Sequence, residues 1–295
     1  MTGSGLEGVV AAETGICYID GKEGRMIYRG FDIHDLAQHS TFEETAYLLW
    51  YGSLPTRPQL DLLNEEMASA RKLPGRVISI LRTFAADASP MDALRTAVSV
   101  LGTYDPESSD SSPEANIRKS IRLTAQMATV TAACYRLKTG RELINPNPRL
   151  GHAANFLYMI TGERPPQNQA RAFDVALILH ADHELNASTF SARITAATLS
   201  DLHSAVTSAI GTLKGPLHGG ANQDVMNLLL EIGELDKAAD AVRAMLANKE
   251  KVPGFGHRVY KTEDPRATHL RRLSKELGED AGEIKWYDMS RIIEQ

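Results

Sequence analysis

The sequence predicts an all-α protein whose only β structure is one short N-terminal hairpin. Three observations carry that expectation. Helix-capping signals recur, first as Thr41 with Glu44 ahead of "TAYLLW", then as Thr56 with Pro58 ahead of "QLDLLNEEMASARK". Apolar residues return at helical spacing, as at Val225, Leu228, Leu229 and Ile232, which fall at i, i+3, i+4 and i+7. Strand-like runs are confined to "GICYIDGKEGRMIYRG", around Asp20-Gly21 and Gly24.

Taken in order, the hairpin comes first, and the Thr41 helix follows and closes at Gly52. After the Thr56 helix, "PMDALRTAVSVLG" repeats the same logic. "DPESSDSSPE", Asp105 to Glu114, reads as a polar surface loop and not a linker, because helical pattern resumes directly in "ANIRKSIRLTAQMATVTAACYRLKTG". The alanine-rich, weakly polar centre of that segment suits a helix surrounded by others. "HAANFLYMITG", "QARAFDVALILHADH", "FSARITAATLS" and "DLHSAVTSAIGTLKG" form a second helical group. No repeat of twenty to fifty residues is present, which disfavours a solenoid. Beyond residue 218 the composition turns more charged and amphipathic, as in "ELDKAADAVRAMLANKEK". The expected division is therefore a large helical domain, 1–218, and a smaller one, 219–295.

A chain of 295 residues with 43% apolar content can bury a substantial core. Its net charge of -5, scattered cations and 6% aromatics argue against a nucleic-acid partner. Cys17 and Cys134 are far apart and lack CxxC spacing, so both are expected as small buried residues and not as a disulfide or zinc site. "MTGSGLEGVVAAETG" lacks the blocks of a signal peptide, and no apolar run is long enough to cross a bilayer. A reducing cytoplasm and no membrane partner are expected.

Three histidines stand out. His218, in "KGPLHGGANQDVM", sits between a proline turn and a glycine pair, just before a helix expected to begin near Ala221. The positive end of a helix disfavours an imidazolium, and a neutral ring there can donate a hydrogen bond to a developing oxyanion. Gly219 and Gly220 would let the backbone approach a ligand; the alternative is a histidine that merely packs in a tight turn. In "HADHELNASTF", His180, His183 and Glu184 would share a helix end. Their order differs from the HExxH and HxxEH zinc patterns, which disfavours a metal. His180 continues an apolar run and suits the core, whereas His183 begins the polar stretch and suits a ligand. His257 lies in a Pro-Gly-Phe-Gly turn, followed by Arg258, Lys261 and Arg266. Asp264 and Pro265 read as N-cap and first residue of a helix, which places Arg266 where a cation opposes the dipole. Either a bound dicarboxylate or an acidic side chain must compensate.

In this order "HADHELNAST", "GPLHGGANQDVM" and "VPGFGHRVYKTEDPRA" resemble the three signature segments of the citrate synthase family. "YRGFDIHDLA", "EETAYLLWYGSLPT" and "HAANFLYMITGE" resemble its short bacterial and archaeal type, so the similarity runs along nearly the whole sequence. The resemblance implies a large and a small helical domain, a homodimer, and condensation of oxaloacetate with acetyl-CoA to citrate and CoA. It implies that His183 and His257 hold oxaloacetate, with His257 polarising the ketone. Arg266 would pair with a substrate carboxylate, and His218 would hydrogen-bond the thioester oxygen. Asn186 and Ser188 would support the histidines, and Lys261 or Arg258 would meet a CoA phosphate. Acetyl-CoA is then a co-substrate, and no metal or bound prosthetic group is implied. The family's catalytic aspartate lies downstream of the segment resembling "EIKWYDMSRIIEQ"; Asp288 lies inside that segment and does not match. A chain lacking the family's C-terminal end, and weakly active or inactive alone, is the resulting expectation. 2-Methylcitrate synthase shares these motifs and differs in taking propionyl-CoA, a difference of one methylene worth about 1–3 kcal/mol in a pocket. A non-catalytic oxaloacetate- or CoA-binding relative and a histidine-ligated metal hydrolase are the remaining readings.

Overall fold

The structure, a computed structural model, describes residues 10, 12–256 and 259–295. The hairpin is present and gains a third strand: β1 (Cys17–Asp20), β2 (Arg25–Tyr28) and β3 (Phe31–Asp32) pair antiparallel in that order. Cys17 faces Tyr28 and Asp20 faces Arg25 across the first pair. The turn between them uses Gly24 at φ 64, a left-handed conformation that glycine adopts without strain.

Among the described residues every regular element after β3 is helical, and local chemistry explains most helix ends. α1 (Ile33–His39) is capped by the Asp32 side chain. α2 (Phe42–Tyr51) carries both arms of the Thr41–Glu44 capping box and stops at left-handed Gly52. At α3 (Arg57–Ala70) the Gln59 side chain accepts the Thr56 amide at 2.8 Å. α4 (Gly75–Phe84) and α5 (Pro90–Gly102) lead to the 26-residue α6 (Pro113–Lys138). α7 (His152–Thr161), α8 (Gln167–Leu179), α9 (Ala187–Ala197) and α10 (Leu202–Leu213) follow. Then come α11 (Ala221–Ile232), a 3-10 turn (Leu235–Lys237), α12 (Ala238–Ala247), α13 (Pro265–Ala281) and α14 (Lys285–Glu294).

α6 is the axial helix, packed by α3, α4, α5, α7 and α10. Its alanines at 125, 128, 132 and 133 are buried, so close approach from several sides is possible, as the sequence pattern implied. The Asp105–Glu114 segment lies at the surface, as expected, and is also anchored to α6. Arg122 of α6 forks onto Asp105 at 2.9 and 2.8 Å and reaches Glu107 at 2.7 Å, and the Asp105 side chain is only 5% exposed. The fully buried Lys119 donates to the Asp110 carbonyl. The loop's oxygens neutralise cations that α6 turns inward, a requirement for burying charge.

Three cores matter for the site. One joins the hairpin, α1, α8 and α13 through Met26, Tyr28, Ile33, Ile178, Leu179 and Leu273. A second lies between α4, α5 and α6. α11, α12 and α14 share a separate one around Leu229, Ile232, Ala238 and Met289. Both cysteines are buried, unpaired thiols, and burial pushes Cys17 up to about 12 and Cys134 up to about 11. No helix among the described residues is long and apolar enough to cross a membrane.

Candidate active site

α8 ends earlier than the sequence suggested. Leu179 is its last residue and His180 its C-cap, so His180, His183 and Glu184 do not share a helix end. His180 is exposed instead of joining the core, and its Nδ1 lies 2.7 Å from the Ala176 carbonyl, one of the terminal acceptors that a helix leaves open. The chain then turns sharply: Glu184 adopts φ 54, and its amide donates to Asp182 Oδ1 at 2.8 Å. The hairpin braces this turn. The Ile19 amide donates to Glu184 Oε1 at 2.6 Å, and the Tyr28 hydroxyl donates to the Asp182 carbonyl at 2.8 Å. Burial drives both the Tyr28 phenol and the Asp182 carboxyl upward, which favours their neutral, hydrogen-bonding forms.

His183 sits on this braced turn. Its Nε2 is 3.2 Å from the Tyr260 hydroxyl, and the two rings meet edge-on with centroids 5.7 Å apart. Three residues on, Asn186 caps α9 by accepting the Thr189 amide at 3.0 Å and also takes the Ser188 hydroxyl at 2.7 Å.

Ser188 connects that loop to His218. Its hydroxyl is 2.9 Å and its amide 3.3 Å from His218 Nε2, so this ring edge faces the start of α9. His218 lies three residues before α11, and no side chain caps that helix. The glycines beside it allow the turn to close on itself. A Cβ on Gly219 would lie 2.5 Å from the Leu213 carbonyl, and one on Gly220 would lie 3.2 Å from Pro216 Cα. The Gly219 amide donates to that same Leu213 carbonyl at 2.9 Å, folding the turn back onto the end of α10.

Within the third segment, His257 and Arg258 lie outside the described residues. From Val259 onward it runs against the hairpin turn. The Lys261 amide donates to the Gly21 carbonyl at 2.7 Å, while the Lys261 side chain stays exposed. A Cβ on Gly21 would come within 2.2 Å of the Val259 carbonyl, so only glycine admits this approach. Asp264 caps α13 as its sequence position predicted, accepting the Arg266 amide at 3.0 Å. The same carboxylate grips the Arg266 guanidinium, with Nε to Oδ1 at 2.9 Å and NH2 to Oδ2 at 2.6 Å. That fork supplies the compensation a first-turn cation needs. Burial opposes the Asp264 charge, but the hydrogen bonds and charge of Arg266 outweigh it and hold the carboxyl below its usual range; His183 acts on it in the same sense.

His218 thus meets Ser188 and, through it, Asn186, while His183 meets Tyr260, which feels the charges of Asp264 and Arg266. Tyr260 was missed by sequence reasoning, because a tyrosine in "HRVYK" carries no local mark of its role. The bracing residues Tyr28, Asp182 and Gly21 were also missed, being distant in sequence from what they hold. A cavity of about 560 Å3 lies elsewhere, lined by Glu43, Arg71, His152 and Asp174 among others, and contains none of the three segments. Among the described residues no group of three or more His, Cys, Asp or Glu is arranged to hold a metal ion. The arrangement is one of hydrogen-bonding imidazoles and hydroxyls on polar loops, with a guanidinium held by its own helix cap.

Residues 5–295 match the family described as "Citrate synthase, C-terminal domain". The chain belongs to the citrate synthase family. It is an enzyme of the citrate synthase type. Citrate synthase of Haloferax volcanii is 51% identical over 297 residues, covering 99% of this chain and 78% of that protein. 2-Methylcitrate synthase of Mycobacterium tuberculosis is 41% identical, covering 98% of this chain and 73% of its own length. The crystal structure of citrate synthase from Pyrobaculum aerophilum superposes with a TM-score of 0.91 at 42% identity, over 99% of this chain and 75% of that one. The Thermoplasma acidophilum citrate synthase, solved as a ternary complex with carboxymethyl coenzyme A and oxaloacetate, gives 0.92 at 30% identity, over 98% and 76%. The citrate synthase fold and the helical class expected from the sequence are therefore those of this chain.

Proposed function

We propose that this citrate synthase family member condenses oxaloacetate with acetyl-CoA, with the three-histidine region as its active site. The observation that carries the reading is the contact chain from His218 through Ser188 and Asn186 to the His183 loop, beside the Asp264–Arg266 pair. Arg266 binds a carboxylate of oxaloacetate, and His183 with His257 positions the substrate, His257 polarising the ketone. The roles of His257 and Arg258 rest on their sequence motif. His218 donates a hydrogen bond to the thioester oxygen as the enolate forms, so developing charge meets a donor at the start of α11. Lys261 and Arg258 meet the CoA phosphates. Asp288, in the first turn of α14, receives no role. Acetyl-CoA is consumed as co-substrate, and the condensation needs no bound metal or prosthetic group.

The domain division at 218/219 belongs to this proposal, supported by the separate core of α11, α12 and α14; α13 packs back onto α1 and α8. So does a homodimer. α9 has no buried residue, and Ile194 and Leu199 at its end are 55% and 82% exposed, an apolar face that a second copy can cover.

The test is thiol release from acetyl-CoA and from propionyl-CoA with oxaloacetate, alongside calorimetric binding of oxaloacetate. Preferential turnover of acetyl-CoA supports the proposal; preferential turnover of propionyl-CoA assigns the 2-methylcitrate reaction named for the Mycobacterium tuberculosis relative. Binding of oxaloacetate without turnover of either thioester would sink the proposed condensation by this chain while leaving the oxaloacetate site standing.

A further inference from the structure

A contact between two histidines joins distant parts of the chain, α1 and α13. Nδ1 of His34, on α1, lies 2.8 Å from Nε2 of His269, on α13, with ring centroids 5.0 Å apart. His269 is 4% exposed and sits three residues, nearly one turn, beyond Arg266 on the same helix. His34 is fixed in its own helix by the Asp32 side chain, which accepts its amide at 3.0 Å. The pair therefore ties the helix bearing Arg266 to the helix that follows the hairpin.

Two imidazoles facing nitrogen to nitrogen can share one bridging proton. A neutral pair has one donor and one acceptor at the contact, and one added proton makes the bridge charge-assisted. A second added proton leaves two N–H groups facing each other, and the bond must break. The surroundings do not absorb that charge. On α1, Asp32 is engaged by the amide of His34 and by Arg25 of β2, leaving Asp35 in the helix's first turn. On α8, Arg171 and Asp174 pair with each other, and on α13 Arg272 pairs with Glu276. Burial, His34 and then Arg272 hold His269 below its ordinary value of 6.5.

We propose that His34 and His269 are positioning residues, a proton-sensitive clamp that sets α13, and through it the Arg266 guanidinium, for oxaloacetate. This rests on the assignment of Arg266 to a substrate carboxylate. Neither imidazole touches substrate; both act through the placement of α13. At neutral pH the clamp is closed, and it opens as pH falls and the pair takes its second proton.

The test is calorimetric binding of oxaloacetate to the full chain at roughly pH 8 and roughly pH 5.5, bracketing imidazole titration. Wild type, His269→Leu, His269→Gln, His34→Phe and Arg266→Leu are compared. The clamp predicts that His269→Leu weakens binding at the higher pH roughly 3- to 10-fold, the scale of one lost hydrogen bond. Gln, whose amide reaches the Nε2 position, restores most of that loss, and His34→Phe removes the same share of the pH dependence as His269→Leu. His34→Phe alters the partially exposed partner and keeps the test open should His269→Leu fail to fold. Unchanged affinity and pH dependence in both histidine variants, with binding lost in Arg266→Leu, would overturn the clamp and leave the substrate assignment standing. Unaltered binding in Arg266→Leu, or none in wild type, would overturn both.

Discussion

Ser188 meets the Nε2 edge of His218 with both its hydroxyl, at 2.9 Å, and its amide, at 3.3 Å. One residue thereby orients the imidazole at the start of α11 and, through Asn186, ties it to the loop that holds His183. Replacing Ser188 with Ala should leave the fold intact, since the amide remains, and lower thiol release about 10-fold, the value of one hydrogen bond to the ring. His218→Gln should lower it by about 10²–10⁴. Steady-state rates for the two variants check the order; equal losses would place Ser188 in the chemistry itself.

Asp264 does two jobs that substitution can separate. Asn keeps the N-cap but not the ion pair, whereas Ala removes both. Asp264→Ala should cost roughly 2–4 kcal/mol, combining a lost cap with a poorly exposed guanidinium left unpaired, and Asp264→Asn clearly less. Urea unfolding of both variants reads the two contributions.

Gly21 is predicted to be intolerant of a methyl group, because Val259 passes within 2.2 Å of the Cβ it would carry. Gly21→Ala should destabilise the chain by roughly 1–3 kcal/mol, an overpacking cost. Displacement of the segment after Val259 should also weaken oxaloacetate binding. A melt combined with a binding isotherm tests both; a stable variant with normal binding would show that the hairpin does not hold that segment.

His152 governs an acid limb of stability. It is buried, and burial, aided by Arg71, pushes it from 6.5 down to about 4. The folded state thus keeps the ring neutral while the unfolded chain protonates near its ordinary value. Stability is complete above that value and falls as pH drops through the window from 6.5 to about 4, by about 3 kcal/mol in all. Glu43 beside it, raised chiefly by burial, works in the opposite sense, its contribution fading as pH rises. His152→Phe removes only the histidine limb, and its unfolding free energy should fall less over that window than that of wild type.

Much of the fold was legible because its signals are local. Thr41 with Glu44, Gly52, and Asp264 before Pro265 all mark helix ends through hydrogen bonds spanning four residues or fewer, and each end is where the sequence placed it. The end of α8 was misread because "DVALILHADH" continues an apolar pattern with no glycine or proline to stop it; the helix is ended by the Tyr28 and Ile19 contacts of a hairpin far upstream. The anchoring of the polar loop around Asp105 was not legible for the same reason, since its partner Arg122 lies on the next helix.

The sequence by itself determined that this is a helical protein with a small hairpin and that it belongs among citrate synthases, and it singled out the histidines and the arginine on which the proposed function rests. Periodic burial, capping and motif order are properties of neighbouring residues, so they can be read along the chain. Only the tertiary structure decided that Arg266 grips its own helix cap, that His218 faces Ser188 and that His34 meets His269. Such partners lie 2, 30 and 235 residues apart. Which polar atoms come within 3 Å of one another depends on how packed helices turn their faces, even when the residues are close in sequence.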